Sequence, residues 1–123
     1  MLSMDNNIPA QTLDFEVIEG LRSILGSDIN ELFNDFLQQA PQEISQLQTL
    51  FQNNNLEALS HVAHSLKGSS GNLGVAALSN SCVNLELDAR DGVASSIESH
   101  IQNIEANFEV AKNAILSLLK KND

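Results

Sequence analysis

HVAHSLKGSSGNLG, residues 61–74, is the stretch of sequence on which the fold assignment rests. Its apolar residues recur at helical spacing and form one stripe. The stripe consists of Leu59, Val62, Ala63, Leu66 and Leu73. Gly68 interrupts this helix, and a glycine inside a helix costs about 1 kcal/mol relative to alanine. Such a cost one turn beyond His64 indicates that a side chain has been removed so that another molecule can approach.

The polar residues of this helix lie on its opposite face. At about 100° per residue, His64 lies roughly 140–150° from the centre of the apolar stripe. Gly68 follows one turn later, Ser60 precedes by one turn, and Lys67 lies on the flank. We therefore expect His64 to face solvent and Lys67 to reach any group attached to it, because side chains one turn apart are neighbours.

Apolar spacing before this stretch predicts two more helices. The first is capped by Asp14 and runs to about Leu25, where Gly26 stops it. Its apolar side is Phe15, Ile18, Leu21 and Leu25. The second begins at Ser27 or Asp28, with Glu31 placed to complete a capping box, and runs to about residue 53. Its apolar positions are Ile29, Leu32, Phe33, Phe36, Leu37, Ala40, Ile44, Leu47, Leu50 and Phe51.

Pro41 falls inside the second helix, but the apolar period continues on both sides of it. We predict one kinked helix, with a break at Ala40 as the alternative. The run Asn53–Asn55 predicts a turn before the third helix.

Two helices follow the focal stretch. The fourth begins after Gly74 and ends at Asp91-Gly92, with the seam Val75, Leu78, Cys82, Leu85 and Ala89. The fifth starts near residues 94–96 and reaches about Lys120, with the seam Ile97, Ile101, Ile104, Phe108, Ala111, Ile115 and Leu118. These patterns predict an all-α protein, an antiparallel up-down-up-down four-helix bundle with a short N-terminal helix as a lid on one end.

Composition limits the classes of partner. The chain has 123 residues, 6 Lys and Arg against 16 Asp and Glu, and a formal charge of −10. This charge disfavours nucleic acid and membrane surfaces. Residues 1–11 are interpreted as a flexible lead without the features of a signal peptide, and residues 12–123 as one domain. A single cysteine and no apolar run of membrane length favour a cytoplasmic protein. The starting Met and the polar tail favour a free-standing carrier, with a domain of a larger sensor kinase as the alternative, and we expect a monomer.

The exposed face suits one chemistry better than others. A neutral imidazole nitrogen can accept a phosphoryl group near pH 7. The ammonium of Lys67 would offset charge on the phosphoryl oxygens, and Gly68 would admit a bulky protein donor. No further base or carboxylate pair is placed to act on a small substrate, which favours a carrier over an enzyme.

The segment HSLKGSS, residues 64–70, followed by Leu73-Gly74, Leu78, Cys82 and Leu85-Glu86, resembles the signature of histidine-containing phosphotransfer (HPt) domains. The resemblance implies a helical bundle that takes a phosphoryl group from the aspartate of one response-regulator receiver domain and passes it to another. The partners that it implies are such receiver domains and a hybrid sensor histidine kinase. By this resemblance His64 is the phosphoacceptor, at Nε2, and Lys67 stabilises the phosphoryl charge. Ser60, Gly68 and Gly71 would belong to the receiver docking face.

The resemblance also implies a polar side chain from the following helix near His64, and both Glu86 and Asn80 are candidates. Such a domain needs no cofactor of its own, since Mg²⁺ is expected on the partner receiver domain.

Two other functions remain open. Glu57, His61 and His64 have a spacing that can place metal ligands on one face, although metal sites in bundles project inward. A structural adaptor that binds receivers without carrying phosphate is the second alternative. The glycines lack the GxxxxGK[ST] order of a phosphate-binding loop.

Several conspicuous residues have simple structural interpretations. We expect Cys82 to be a buried small hydrophobe and His61 and His100 to be ordinary surface residues. Ser69 and Ser70 should make local backbone hydrogen bonds. Gly71 and Gly74 are interpreted as helix-end glycines.

Overall fold

Five α-helices make up the chain in the computed structural model, which describes residues 12–121. They are α1 (Phe15–Leu25), α2 (Asp28–Gln52), α3 (Leu56–Asn72), α4 (Ala76–Arg90) and α5 (Ile97–Lys121), with a 3-10 turn at Ala94–Ser96 before α5. No strand occurs in this range. The predicted all-α fold is confirmed. The predicted flexible lead, residues 1–11, lies outside the described residues.

Helices α2 to α5 form the bundle. Each packs against the next along the chain, most extensively α3 against α4, and α2 packs against α5 to close the ring. Phe36 of α2 and Phe108 of α5 meet at this closure, with ring centroids 6.3 Å apart. The diagonal pairs are therefore α2 with α4 and α3 with α5, which the apolar pattern left open.

Helix α1, which was predicted as a lid, and the residues just before it pack against the turn between α3 and α4 at one end of the bundle. The Asp14 amide donates to the Gly74 carbonyl at 2.7 Å, and the Ala76 amide donates to the Thr12 carbonyl at 3.1 Å. Thr12 and Leu13 are buried, which the sequence did not indicate. Gly74 has φ +77°, so its interpretation as a helix-end glycine is confirmed.

Side chains cap the starts of α1 and α3. Asp14 accepts hydrogen bonds from the amides of Glu16 and Val17, and Asn55 accepts one from the amide of Ala58. The predicted cap of α2 is wrong. Ser27 precedes α2 with helical φ and ψ of −69° and −14°, and its side chain makes no capping hydrogen bond. A capping side chain normally needs an extended residue, so no capping box with Glu31 forms.

Pro41 lies inside α2 without dividing it. The prediction of one helix is confirmed, and a break at Ala40 is not observed. Proline lacks an amide hydrogen, so the carbonyl one turn earlier loses its helical donor.

Two residues of the predicted apolar seams are exposed. Phe15 is 45 % exposed and Leu32 is 40 % exposed, although both were placed on apolar sides. Helix α1 covers only one end of the bundle through Ile18, so Phe15 remains at its edge. None of the helices in residues 12–121 is long and apolar enough to cross a membrane.

Candidate functional site

His64 projects from the outer face of α3. Its side chain is 66 % exposed, whereas Leu59, Ala63 and Leu66 on the opposite face are fully buried. The predicted orientation is confirmed. The imidazole is therefore open to a large partner without any movement of the bundle.

Glu86 of α4 joins the two predicted functional side chains. Its Oε2 lies 2.9 Å from Nδ1 of His64, and its Oε1 accepts a hydrogen bond from Nζ of Lys67 at 2.7 Å. The Glu86 side chain is only 14 % exposed. Of the two candidates for this place, Glu86 occupies it, while Asn80 lies exposed nearer the start of α4.

The carboxylate determines which nitrogen of His64 is free. The hydrogen bond from Lys67, followed by that from His64, lowers the pKa of Glu86 against the opposing effect of burial. An ionised carboxylate only accepts hydrogen bonds, so Nδ1 must carry the proton that it shares with Oε2. The neutral ring then has its lone pair at Nε2, which makes Nε2 the nucleophilic atom.

Lys67 is engaged before any phosphate arrives. Its ammonium is ion-paired with Glu86, and its side chain is 30 % exposed. Because Lys67 and His64 contact opposite oxygens of one carboxylate, the ammonium lies close to the ring. A phosphoryl group on His64 would share Lys67 with Glu86.

The glycines of α3 have different surroundings. A Cβ built on Gly68 would have no atom within 4 Å, so no neighbour requires a glycine there. A Cβ on Gly71 would lie 3.1 Å from Oγ of Ser79, where α3 meets α4. Gly71 lies within α3, so its interpretation as a helix-end glycine is wrong: close packing against α4 accounts for it better.

The serines of α3 mostly bond to their own helix. Ser60 donates to the carbonyl of Glu57, and Ser69 and Ser70 donate to the carbonyl of Leu66. The prediction for Ser69 and Ser70 is confirmed. The roles of Ser60 and Gly71 in docking stay predictions.

A groove of about 410 Å³ lies between α1, α2 and α3 beside this face. Its lining includes Leu21, Leu32, Phe36, Glu43, Ser65 and Ser69. Ser65 follows His64 in the chain and donates to Oε2 of Glu43 at 2.8 Å. Sequence reasoning missed the groove because Leu32 fits the helical seam of α2, and periodicity alone does not show that α1 leaves it uncovered.

The remaining candidate residues divide differently from expectation. Cys82 is fully buried, as predicted, and burial, followed by the charge of Glu43, raises the pKa of its thiol to about 12. His61 is exposed as predicted. The prediction for His100 is wrong, since its side chain is 22 % exposed and its Nε2 lies 2.8 Å from Oδ2 of Asp88.

The alternative of a metal site finds no support in the geometry. Within residues 12–121, no group of three or more His, Cys, Asp or Glu side chains converges to hold a metal ion. The carboxylate of Glu86, which contacts His64, is also ion-paired with Lys67. The ammonium of Lys67 would compete with a metal ion for the oxygens of Glu86.

Comparison with known proteins places these features in a family. The model of the Hpt domain family matches residues 31–117. No curated protein sequence matches the chain significantly.

Three solved structures are similar to the chain. Histidine-containing phosphotransfer protein B from Pseudomonas aeruginosa PAO1 is 26% identical, with 92% of this chain and 98% of that chain covered and a TM-score of 0.89. A putative histidine-containing phosphotransfer protein from rice is 19% identical, with 90% and 81% covered and a TM-score of 0.81. The phosphotransfer protein MtHPt2 from Medicago truncatula is 20% identical, with 91% and 79% covered and a TM-score of 0.78.

The two plant structures support the fold, and the bacterial one matches this chain over nearly its whole length. The family model covers well over half of the 123 residues, including all of α3 and α4. The chain therefore belongs to the Hpt domain family of phosphotransfer proteins.

Proposed function

We propose that His64 accepts a phosphoryl group from the aspartyl phosphate of a response-regulator receiver domain and passes it to the aspartate of another receiver. A hybrid sensor histidine kinase is the expected source of the phosphate. The observation that carries this proposal is the Nδ1–Glu86 contact, which leaves Nε2 as the nucleophile on an open surface.

The transfer step needs few groups from this chain. The Nε2 lone pair attacks phosphorus, the bond from phosphorus to the aspartyl oxygen breaks, and the donor carboxylate leaves with its electron pair. Lys67 offsets the charge of the phosphoryl oxygens during transfer. Mg²⁺ is expected in the aspartyl pocket of the receiver, so this chain works as a carrier without kinase activity of its own.

The partner has to place its aspartate next to Nε2, which requires a broad contact around His64. Gly68 has no side chain to obstruct a receiver domain that approaches His64. The groove beside Ser65 offers an apolar surface that can bind a side chain of the receiver. Asp35 and Glu43 add acidic side chains to the lining of this groove. We propose that the receiver domain occupies the groove with an apolar side chain and a basic rim, which suits the charge of −10.

The test is transfer from a receiver domain that carries labelled aspartyl phosphate. We expect the wild-type chain to gain an acid-labile, base-stable label, and His64→Gln to gain none. His61→Gln serves as the matched control, because His61 lies on the same helix and is also exposed. Label that persists in His64→Gln would contradict the proposal, and receiver binding without label would support the adaptor alternative.

A further inference from the structure

We infer that Glu86 keeps the Nδ1 proton on His64 throughout the phosphorylation cycle, so that the phosphohistidine stays in the form that releases its phosphoryl group most readily. The inference rests on the proposed function and deepens it. It makes Glu86 a positioning residue that sets how long the phosphate stays on the carrier.

The carboxylate of Glu86 is held at both oxygens. Oε1 accepts from Lys67 at 2.7 Å and Oε2 contacts Nδ1 of His64 at 2.9 Å, and the side chain is 14 % exposed. A glutamine amide at this place could turn and donate to a deprotonated Nδ1. A carboxylate has no hydrogen to donate, so it stabilises only the protonated Nδ1.

This restriction matters once the phosphoryl group is attached. Before transfer, the ring is neutral, with hydrogen on Nδ1 and a lone pair on Nε2. When the Nε2–phosphorus bond forms and Nδ1 keeps its proton, the ring carries one positive charge, which Glu86 offsets. If Nδ1 instead lost its proton to water, Nε2 would have to leave as an imidazolate, which is a much poorer leaving group.

The return step follows the same path in reverse. The Nε2–phosphorus bond breaks, its electron pair returns to Nε2, and phosphorus bonds to the acceptor carboxylate. The ring is then neutral in its original tautomer. No proton has to enter or leave His64 in either direction, so the carrier needs no base or acid from the receiver at this ring.

Two other charged residues near His64, Lys67 and Glu43, already have partners. Lys67 from α3 is paired with Glu86, which limits how fully it can hold a phosphoryl group. Glu43 from α2 accepts a hydrogen bond from Ser65. Glu86 thus stabilises the cationic ring, and this effect favours release.

The experiment uses phosphoramidate, a small phosphoryl donor, to load the full chain without a receiver. The variants are Glu86→Gln and the control Glu98→Gln, which removes an exposed carboxylate on α5, diagonal to α3. Loss of phosphohistidine is followed from pH 5 to pH 9. Hydrolysis is fast while the ring is protonated, so we expect the fast regime of the wild type to extend to higher pH than that of Glu86→Gln.

At pH 8 the phosphohistidine of Glu86→Gln should last about three- to tenfold longer, because a charge-assisted hydrogen bond is roughly twice as strong as a neutral one. Glu98→Gln should match the wild type. Identical pH profiles for Glu86→Gln and the wild type, with label on His64 in both, would overturn the inference and leave the proposed function intact. Absence of label from His64 in the wild type would overturn both.

A second measurement needs no variant and guards against misfolding of Glu86→Gln. Nitrogen-15 NMR of the phosphorylated wild type at pH 8 should show a protonated Nδ1. A ring that loses this proton at the same pH as free phosphohistidine would overturn the inference.

Discussion

Three neighbouring residues determine the surroundings of His64. Glu86 and Lys67 act through hydrogen bonds, and Gly68 acts through the absence of a side chain. Glu86 fixes the Nδ1 proton, Lys67 keeps Glu86 ionised, and Gly68 leaves the approach to Nε2 open. Each of these residues would be unremarkable alone. In the proposed function, they give the exposed imidazole of His64 a defined tautomer with Nε2 as the nucleophile.

In the proposed function, Lys67 assists the transfer without forming a bond to phosphorus. Lys67→Ala should slow transfer from a phosphorylated receiver by about tenfold, the loss expected for one charge-assisted hydrogen bond in a partly solvated site. Lys112→Ala is the control, since Lys112 is also ion-paired with a glutamate, Glu109, but lies on α5. Rapid-quench kinetics measures both rates. A complete loss of label would contradict an assisting role, and an unchanged rate would mean that Glu86 occupies Lys67 fully.

The sequence predicted His64 and Lys67 but could not select Glu86. The direction of His64 follows from helical periodicity, which is a local property of α3. The contact between His64 and Glu86 spans 22 positions and depends on the register of α3 against α4. Nothing in the spacing distinguished Glu86 from Asn80, because both project from α4 outside its buried seam.

Helix α3 has a buried face and an exposed face, and Gly68 lies on the exposed face with His64. Gly68→Gln adds a side chain where no atom lies within 4 Å. We expect the free energy of unfolding to rise by about 0.5 kcal/mol, because glutamine is the better helix former. Transfer from a receiver should nevertheless slow, because the side chain obstructs docking.

The control for Gly68→Gln is Ala106→Gln, which adds bulk at an exposed position of α5. Chemical denaturation and transfer kinetics are measured on the same samples. Slow transfer accompanied by lost helix content would make Gly68 a packing residue. It would contradict the proposal that Gly68 leaves room for the receiver domain.

The connection between α3 and α4 depends on Gly74. A Cβ at this position would lie 2.9 Å from the carbonyl oxygen of Asp14, and φ is +77°. Gly74→Ala should lower the free energy of unfolding by about 2–4 kcal/mol, from backbone strain and overpacking together. Gly92→Ala is the matched control: φ is +76° but no atom lies within 4 Å, so only the strain of about 1 kcal/mol applies. Equal losses in the two variants, measured by urea denaturation, would show that the contact with Asp14 does not matter.

At the level of elements, the sequence predicted the helices better than their ends and contacts. Pro41 did not break α2 because the apolar period on both sides keeps one face buried across it. The cap at Ser27 failed because Ser27 has helical φ and ψ, and its side chain makes no capping hydrogen bond. Contacts that close the end of the bundle, such as that of Thr12 with the turn between α3 and α4, could not be predicted from the spacing of apolar residues.

At the scale of the whole molecule, we propose that the outer side of α3 and the groove beside it form the docking face for a receiver domain. Leu32 lines this groove and is 40 % exposed, so Leu32→Glu should barely affect stability. It should slow transfer from a receiver while phosphoramidate still loads His64 at the wild-type rate. Leu116→Glu, which alters an equally exposed leucine on α5, should change neither rate. Equal receiver transfer in Leu32→Glu and the wild type would remove the groove from the docking surface.

The central claim is that His64 carries phosphate between receivers, and reversible exchange tests it most directly. The chain is loaded with phosphoramidate, freed of the donor, and mixed with each unphosphorylated receiver domain from the same organism in the presence of Mg²⁺. We predict that label leaves His64 within the mixing time for at least one receiver, appears on its aspartate, and returns to His64 when fresh unlabelled carrier is added. Label that stays on the chain and decays at the rate of spontaneous hydrolysis with every receiver would contradict the account.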